Sequence, residues 1–506
     1  MQIAKKARQF ALSMAMLVSA GMGPALAQTM HLVAPKGAQI TCSGTRGQET
    51  CPWNSVEMAI QSGMVKGGDT LLLMDGQHDR IDIEGRNFVP PITIESVTNQ
   101  NAIVDTVFLR TASGVTFRDL TIQSSGANPY PLFHADFDTS IIAIENSKLQ
   151  STASISNVLS WTAADWLSRR RHGVWLYGSN SRALNNTIDT VQSGIWSGGT
   201  NNQIIGNKIT NLTGDALRAG SATIVGNNYV ANFFRVDDDH IDGFQSIGSV
   251  DKPVRGLRLR RNTIIEWTYP GDHPLRTSAQ GIGMFDGFYD DFSIRNNVVA
   301  VSAYHGIAVY GGRNGIITNN TVVHPSVNSV NFPWIGVFNH KNGTPSTNVI
   351  VANNLAMSFS GASATNNVIL MDNQVIIRPS DVFQNAAAFD YRPNLASGFI
   401  DTGNPLYTPK TDIDGILRPQ GSGPDKGAYE IRAAGETQPR RKVSDTTQKT
   451  QTMLAASSEE DVVPAMSAPK RGDETDTAAD AEAGERIYAN QKPIRLRQFW
   501  TDGASQ

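Results

Sequence analysis

The residues best suited to chemistry gather in a few short segments. DDDHIDGFQ (237–245) sets Asp237, Asp238 and Asp239 beside His240, with Asp242 and Gln245 close behind. Three consecutive carboxylates repel one another, so they call for a cation, arginine partners or full solvation. Closely spaced oxygen ligands suit Ca²⁺, although the spacing is not that of an EF-hand loop. A solvated turn, an Arg-paired or catalytic cluster and a Ca²⁺ site held by Asp237, Asp238 and Asp239 all remain open. GDALR (214–218) adds Asp215 and Arg218, and His172 and His305 each precede a Gly-led apolar segment. Asp215, Arg218, His240, Asp242, His172 and His305 are the expected catalytic groups. Trp175, Tyr177, Trp196, Arg171, Gln245 and Tyr310 are the expected binding groups. Aromatic rings stack on the apolar faces of sugars, and a guanidinium fork pairs with a carboxylate. The set therefore suits an acidic sugar chain.

These groups need a scaffold that brings distant segments together, and the sequence repeats one phrase that supplies it. AIENSKL, ALNNTI, IIGNKI, IVGNNYV, LRRNTII, IRNNVV, ITNNTVV and VANNLAM align on Asn146, Asn186, Asn207, Asn227, Asn262, Asn297, Asn320 and Asn354. The steps between them are 40, 21, 20, 35, 35, 23 and 34 residues, a unit near 20 to 23 with insertions in the longer ones. Between them lie Gly-led segments such as HGVWLYG (172–178) and HGIAVYGG (305–312), whose apolar residues alternate with period two. That period means strands. No helix-length amphipathic segment separates them, so βαβ units are not expected. Coils of this length predict an all-β parallel β-helix, in which stacked coils share one apolar core. The recurring Asn has two uses. It tolerates the left-handed conformation at a corner, and stacked Asn side chains bond from coil to coil. The insertions 151–171, 229–241, 266–279 and 326–333 recur at one place in the coil, which predicts a wall on one side of the solenoid. On this stacking Asp215 and Arg218 fall beside Asp242 and Gln245, and His172 and His305 share a column with Asp242.

The chain resembles the right-handed parallel β-helix proteins of the pectate-lyase-like superfamily over about residues 30–432. Three features carry the resemblance: SVEMAIQSGMVKGGDTLLLMDGQH (55–78), similar to a capping helix and first strand; the Asn repeat; and NPLYTPKTDIDGILRPQGSGPDKGAYEI (404–431), similar to a closing segment. Val56, Ala59, Ile60 and Met64 would form the apolar face of the cap. The resemblance implies action on, or binding to, polysaccharide. No catalytic signature of the polygalacturonase, pectate lyase or mannuronan epimerase families is present, so no residue roles carry over. Three functions stay open: a lyase acting on a uronate-containing chain, with a C5-epimerase close to it in chemistry; a glycoside hydrolase using paired Asp residues; and a non-catalytic β-helix for exopolysaccharide binding, export or adhesion.

The ends differ from the middle. Lys5, Lys6 and Arg8, the apolar run Phe10 to Ala20 and Ala25-Leu26-Ala27 read as a cleaved secretory signal over residues 1–27, which predicts a secreted or periplasmic protein with no membrane insertion after cleavage. In that setting Cys42 and Cys51, the only cysteines, are expected to form one local disulfide. The solenoid is expected over 28–432 and a disordered charged tail over 433–506. Of 506 residues 43 are Lys or Arg and 46 are Asp or Glu, a net charge of -3. With no basic excess, the composition argues against a dedicated nucleic-acid binder. A monomer is expected.

Overall fold

A computed structural model describes residues 28–124, 130–153, 157–246, 248–326 and 332–432. Expectations for residues 1–27 and 433–506 lie outside the described residues. Among the described residues, parallel pairing builds three long sheets of 15, 11 and 12 strands. Strands three apart in sequence are neighbours in each sheet through most of the stack, which is the topology of a parallel β-helix. Its interior is a continuous apolar column running from Val33, Leu71 and Ile94 through Ile144, Ile204 and Val225 to Ile317 and Val351.

The two uses of the recurring Asn fall on two adjacent positions. Asn185, Gly206, Asn227, Arg261, Asn296, Asn319 and Asn353 take the positive-φ corner. The next residues, Asn186, Asn207, Asn228, Asn262, Asn297, Asn320 and Asn354, are buried and form the ladder. The Oδ1 of Asn207 accepts from the backbone N–H and the Nδ2 of Asn186, both at 3.0 Å. Its own Nδ2 donates to Ala183 O at 2.9 Å and to Asn228 Oδ1 at 3.0 Å. The expected alignment is thus displaced by one residue at two places. Asn227 is a corner whose ladder partner is Asn228, and Asn146 is a corner followed by Ser147, whose N–H donates to Asn186 Oδ1.

The cap is shorter than expected. The helix spans Val56–Gln61 with Ser55 as its N-cap and buries Val56, Ala59 and Ile60. Met64 lies beyond the helix and is 44% exposed, so it is not part of the cap's face. The strand Met30–Val33 precedes the helix and pairs with Thr70–Leu73, which is therefore the second strand. Cys42 and Cys51 are disulfide-bonded. At the other end the closing segment is tied down by Arg418, whose Nη1 donates to Glu430 at 2.9 Å and whose Nη2 donates to Gly427 O at 2.8 Å. Both of these charged side chains are buried.

Candidate functional site

The site lies on the outward face of the 11-stranded sheet. On the coils led by Gly173, Gly194, Ala216, Gly243, Gly281 and Gly306 the buried small residue precedes an inward apolar residue, and the residue after that points out. Gly194 shows why this lead position is small: a Cβ there would stand 2.2 Å from the carbonyl oxygen of Ala216 on the next coil. The strands Phe133–Ala135, Val174–Leu176, Ile195–Ser197, Leu217–Ala219 and Asp242–Ser246 then set His134, Trp175, Trp196, Arg218 and Gln245 in one outward column. A second column begins each strand. Backbone bonds link the coils at Gly173 to Ser193, Gly194 to Asp215 and Ala216 to Asp242. Asp242 pairs with Gln280 one coil further on. His172 and His305 stand in this column through their bonds to Ser193 Oγ (2.7 Å) and Gln280 Oε1 (2.5 Å).

Asp215, Arg218, His240 and Asp242 converge. Arg218 donates from Nε and Nη2 to Oδ2 of Asp215 at 2.8 and 2.5 Å. The other oxygen of Asp215 accepts the N–H of Asp242 at 2.8 Å. The Trp196 ring backs the same guanidinium, with Cζ 4.3 Å from the ring centroid. Arg218 is thus fixed from two sides while its side chain stays 30% exposed. His240 reaches Asp242 from the loop above, with Nδ1 3.1 Å from Oδ2 and its side chain 64% exposed. That is an ion-pair contact without hydrogen-bond alignment. Both oxygens of Asp242 are buried, and no described residue gives either a directed hydrogen bond.

The electrostatics follow from this arrangement. Burial pushes the Asp242 carboxyl up to about 6, with the nearby Asp215 adding to the rise and contact with His240 opposing it. The Asp242 carboxylate in turn raises His240 above its usual 6.5, against the cost of burial. His172 is driven down to about 3, chiefly by burial and then by Arg170, Arg218 and Arg171. His305 also falls to about 3, through burial and then the charge of His240. Both stay neutral at ordinary pH. Burial holds the Tyr177 phenol up at about 12, so it keeps its proton.

The other expected residues fall around this centre. Trp175 and Trp196 stack face to face, with centroids 5.6 Å apart and planes 9° apart. His172 packs against both rings. These indole faces are taken up within the protein, one of them in holding Arg218. Tyr177 stacks on Phe137. Arg171 is turned inward, where it bonds Ser124 Oγ and Tyr130 O. Gln245 is the outward neighbour of Arg218 on the next coil. Tyr310 stands further along the sheet, stacked with Phe338.

The insertions do pack together. Val158, Trp166, Phe234 and Trp267 form a separate buried cluster, joined by Trp161, Val236, Tyr269 and Leu275. Trp166 and Trp267 are therefore core residues of the wall. The second insertion starts later than expected, because Tyr229–Phe233 is a ladder strand. Most of the fourth (327–331) lies outside the described residues. The wall holds the acidic loop in place: Arg170 Nη2 donates to Asp237 at 2.7 Å and Nη1 to Thr213 Oγ1 at 3.2 Å. Asp238 points into solvent, 4.0 Å from Arg235.

Among the described residues, the carboxylate and imidazole atoms that come together are those of Asp215, His240 and Asp242, all within 4.8 Å of one another, and not those of Asp237, Asp238 and Asp239. This donor set fits Ca²⁺ poorly. Ca²⁺ takes six to eight oxygens, whereas one donor here is nitrogen and Asp215 already serves Arg218.

Residues 137–322 match the right handed beta helix region family. Together with the three parallel sheets, this match gives the chain the fold of a parallel β-helix. No curated protein matches its sequence. Among solved structures it is similar to pectate lyase Pel9A, with a TM-score of 0.42 and 13% identity over 82% of this chain and 98% of that one. It is also similar to the PL6 family alginate lyase AlyGC, with a TM-score of 0.41 and 15% identity over 80% of this chain and 57% of that one. The catalytic domain of a GH87 alpha-1,3-glucanase gives a TM-score of 0.33 and 12% identity over 70% and 71%.

Proposed function

We propose that the protein is a polysaccharide-active β-helix that cleaves a uronate-containing chain by β-elimination. Arg218 is the observation that carries this reading. A partly exposed guanidinium, clamped by Asp215 and backed by Trp196, is a preset partner for a carboxylate. Neutralising a uronate carboxylate acidifies its C5 proton. One coil away, the exposed ring of His240 has its Nδ1 turned to Asp242, leaving Nε2 to act as the base. His240 takes the C5 proton, and the C5–H electron pair becomes the C4=C5 double bond. The C4–O bond breaks, and the leaving oxygen takes a proton from solvent water. Asp242 is the group that makes His240 more basic. The neutral, buried His172 and His305 are supports in this scheme. The export signal read in residues 1–27 accords with a polymer substrate met outside the cytoplasm.

A second reading rests on Asp215 and Asp242, two carboxylates on adjoining coils, of which Asp242 is held partly protonated near neutrality. Their closeness approaches the roughly 5 Å of a retaining glycosidase. Both are buried, however, whereas Arg218 and His240 are open to a substrate. The two readings separate by product. Incubation with a panel of uronate polysaccharides should give the ultraviolet absorbance of unsaturated ends. Reducing ends without that absorbance would assign a hydrolase instead.

A further inference from the structure

The outward column that holds Trp175, Trp196, Arg218 and Gln245 changes character on the next coils. Its following members are Gly283, Ala308 and Gly336. Large side chains give way to a methyl or none, and aromatic rings from the two flanking columns fill the space. A Cβ at Gly283 would stand 2.1 Å from the Phe285 ring, so that ring lies over the sheet at this point. At Gly336 a Cβ would stand 2.4 Å from the Phe338 ring and 2.8 Å from that of Trp334. Tyr310 stacks on Phe338 with centroids 5.0 Å apart and planes 28° apart. Tyr304, 48% exposed, closes the edge beside Trp334 and His305. Phe332, 47% exposed, stands two residues before Trp334. The cations nearest in sequence, Arg313 and Lys341, are paired with Asp290 at 2.5 Å and Asp286 at 2.7 Å.

The sheet thus carries two surfaces in line. One is polar and centred on Arg218. The other is apolar and paved with rings, beginning two coils further on, about 10 Å away at about 4.8 Å per coil. An exposed aromatic patch of this kind marks a site for a partner. The apolar surface is continuous with the proposed catalytic centre on one open sheet face.

We propose that the Tyr304, Tyr310, Trp334 and Phe338 surface is a second carbohydrate-binding region. It would take the apolar faces of sugar residues of the same polymer whose uronate sits at Arg218. The inference rests on the proposed function for its ligand. It adds that the substrate extends from the catalytic centre toward the C-terminal coils, and that binding there needs stacking and no carboxylate.

The test is affinity electrophoresis of the full chain in gels containing an acidic, a neutral or a mixed acidic–neutral polysaccharide, with turnover of a short uronate oligosaccharide measured alongside. Tyr304→Ala and Trp334→Ala, singly and together, should weaken retardation by the polymer, about tenfold for the pair. Turnover of the short substrate should be unchanged. Thermal unfolding checks that each variant is folded. Should Trp334→Ala fail that check, Tyr304→Ala, a half-exposed ring, carries the test. Retardation unchanged in the folded variants, or no retardation of the parent by any of the polymers, would overturn the proposal. Normal loss of retardation without any unsaturated product would uphold the binding surface while overturning the elimination chemistry.

Discussion

His240 and Asp242 make opposite demands on the protein, and pH separates them. His240 works as a base only when neutral, and Asp242 raises it above 6.5. The rate kcat/KM should therefore climb with pH along a limb above 6.5. Asp242→Asn removes the largest cause of that rise, so the limb should move to lower pH while the maximum falls. A limb that stays in place would show that another group titrates. Asp242 itself sits at about 6 in the fold against an ordinary 3.8. The native state holds this proton more tightly than the unfolded chain does. The group's contribution to stability is most favourable below 3.8 and is lost as pH rises through about 6. Asp242→Asn should accordingly raise the thermal midpoint by about 1–3 °C near pH 7.5 and give no such gain near pH 4. A lowered midpoint near pH 7.5 would mean that the His240 contact outweighs the burial. The sequence displays the residue types of this centre, since Asp215, Arg218, His240 and Asp242 are all unusual where they stand. The backing of Arg218 by Trp196 was not legible. The two residues are a whole coil apart, and only register brings them together.

At the scale of elements, the ladder and the wall do different work. Asn262 bonds coils on both sides: its Nδ2 donates to Val225 O and Asn297 Oδ1, and its Oδ1 accepts from Asn228. Asn262→Ala leaves buried donors and acceptors unmet, so it should cost about 2–4 kcal/mol in chemical denaturation. A cost below 1 kcal/mol would show that the ladder is incidental. The wall acts on rate. Arg170 joins the first insertion to Asp237, three residues before His240. Arg170→Ala should lower kcat several-fold with little change in KM or in the thermal midpoint, because it loosens the loop that carries the base. A change confined to the midpoint would assign Arg170 a purely structural part. The Asn phrase was readable because every coil must turn the same corner. Its one-residue slip at Asn146 and Asn227 arose because Asn also suits the neighbouring corner position. The wall's own aromatics form a satellite core, which uses the same residue types as a sugar site.

The whole molecule is a stack in which function depends on position along the axis. Parallel pairing carries Asp215 to Asp242 and Trp196 to Arg218 without any turn of the chain toward a pocket. The wall stands over the coils that carry Arg218 and Asp242, and the aromatic surface begins where the outward column shrinks to Gly283. Repeat length, strand period and the place of the insertions were enough to foresee the solenoid. Of the aromatic surface only Tyr310 was foreseen, because which rings lie over Gly283 and Gly336 depends on the packing of the flanking columns. The low charge of the sequence now has a structural reason, since most positions face the apolar column, pair in strands or turn corners.

The most direct test of the account is a product assay. Purified protein, Arg218→Ala and His240→Ala would be incubated with the uronate panel, and unsaturated ends measured together with total reducing ends. The two signals should rise in equal number for the parent on at least one polymer, and each variant should be slower by about 10²–10³-fold. Reducing ends without unsaturation, or full activity after Arg218→Ala, would contradict it.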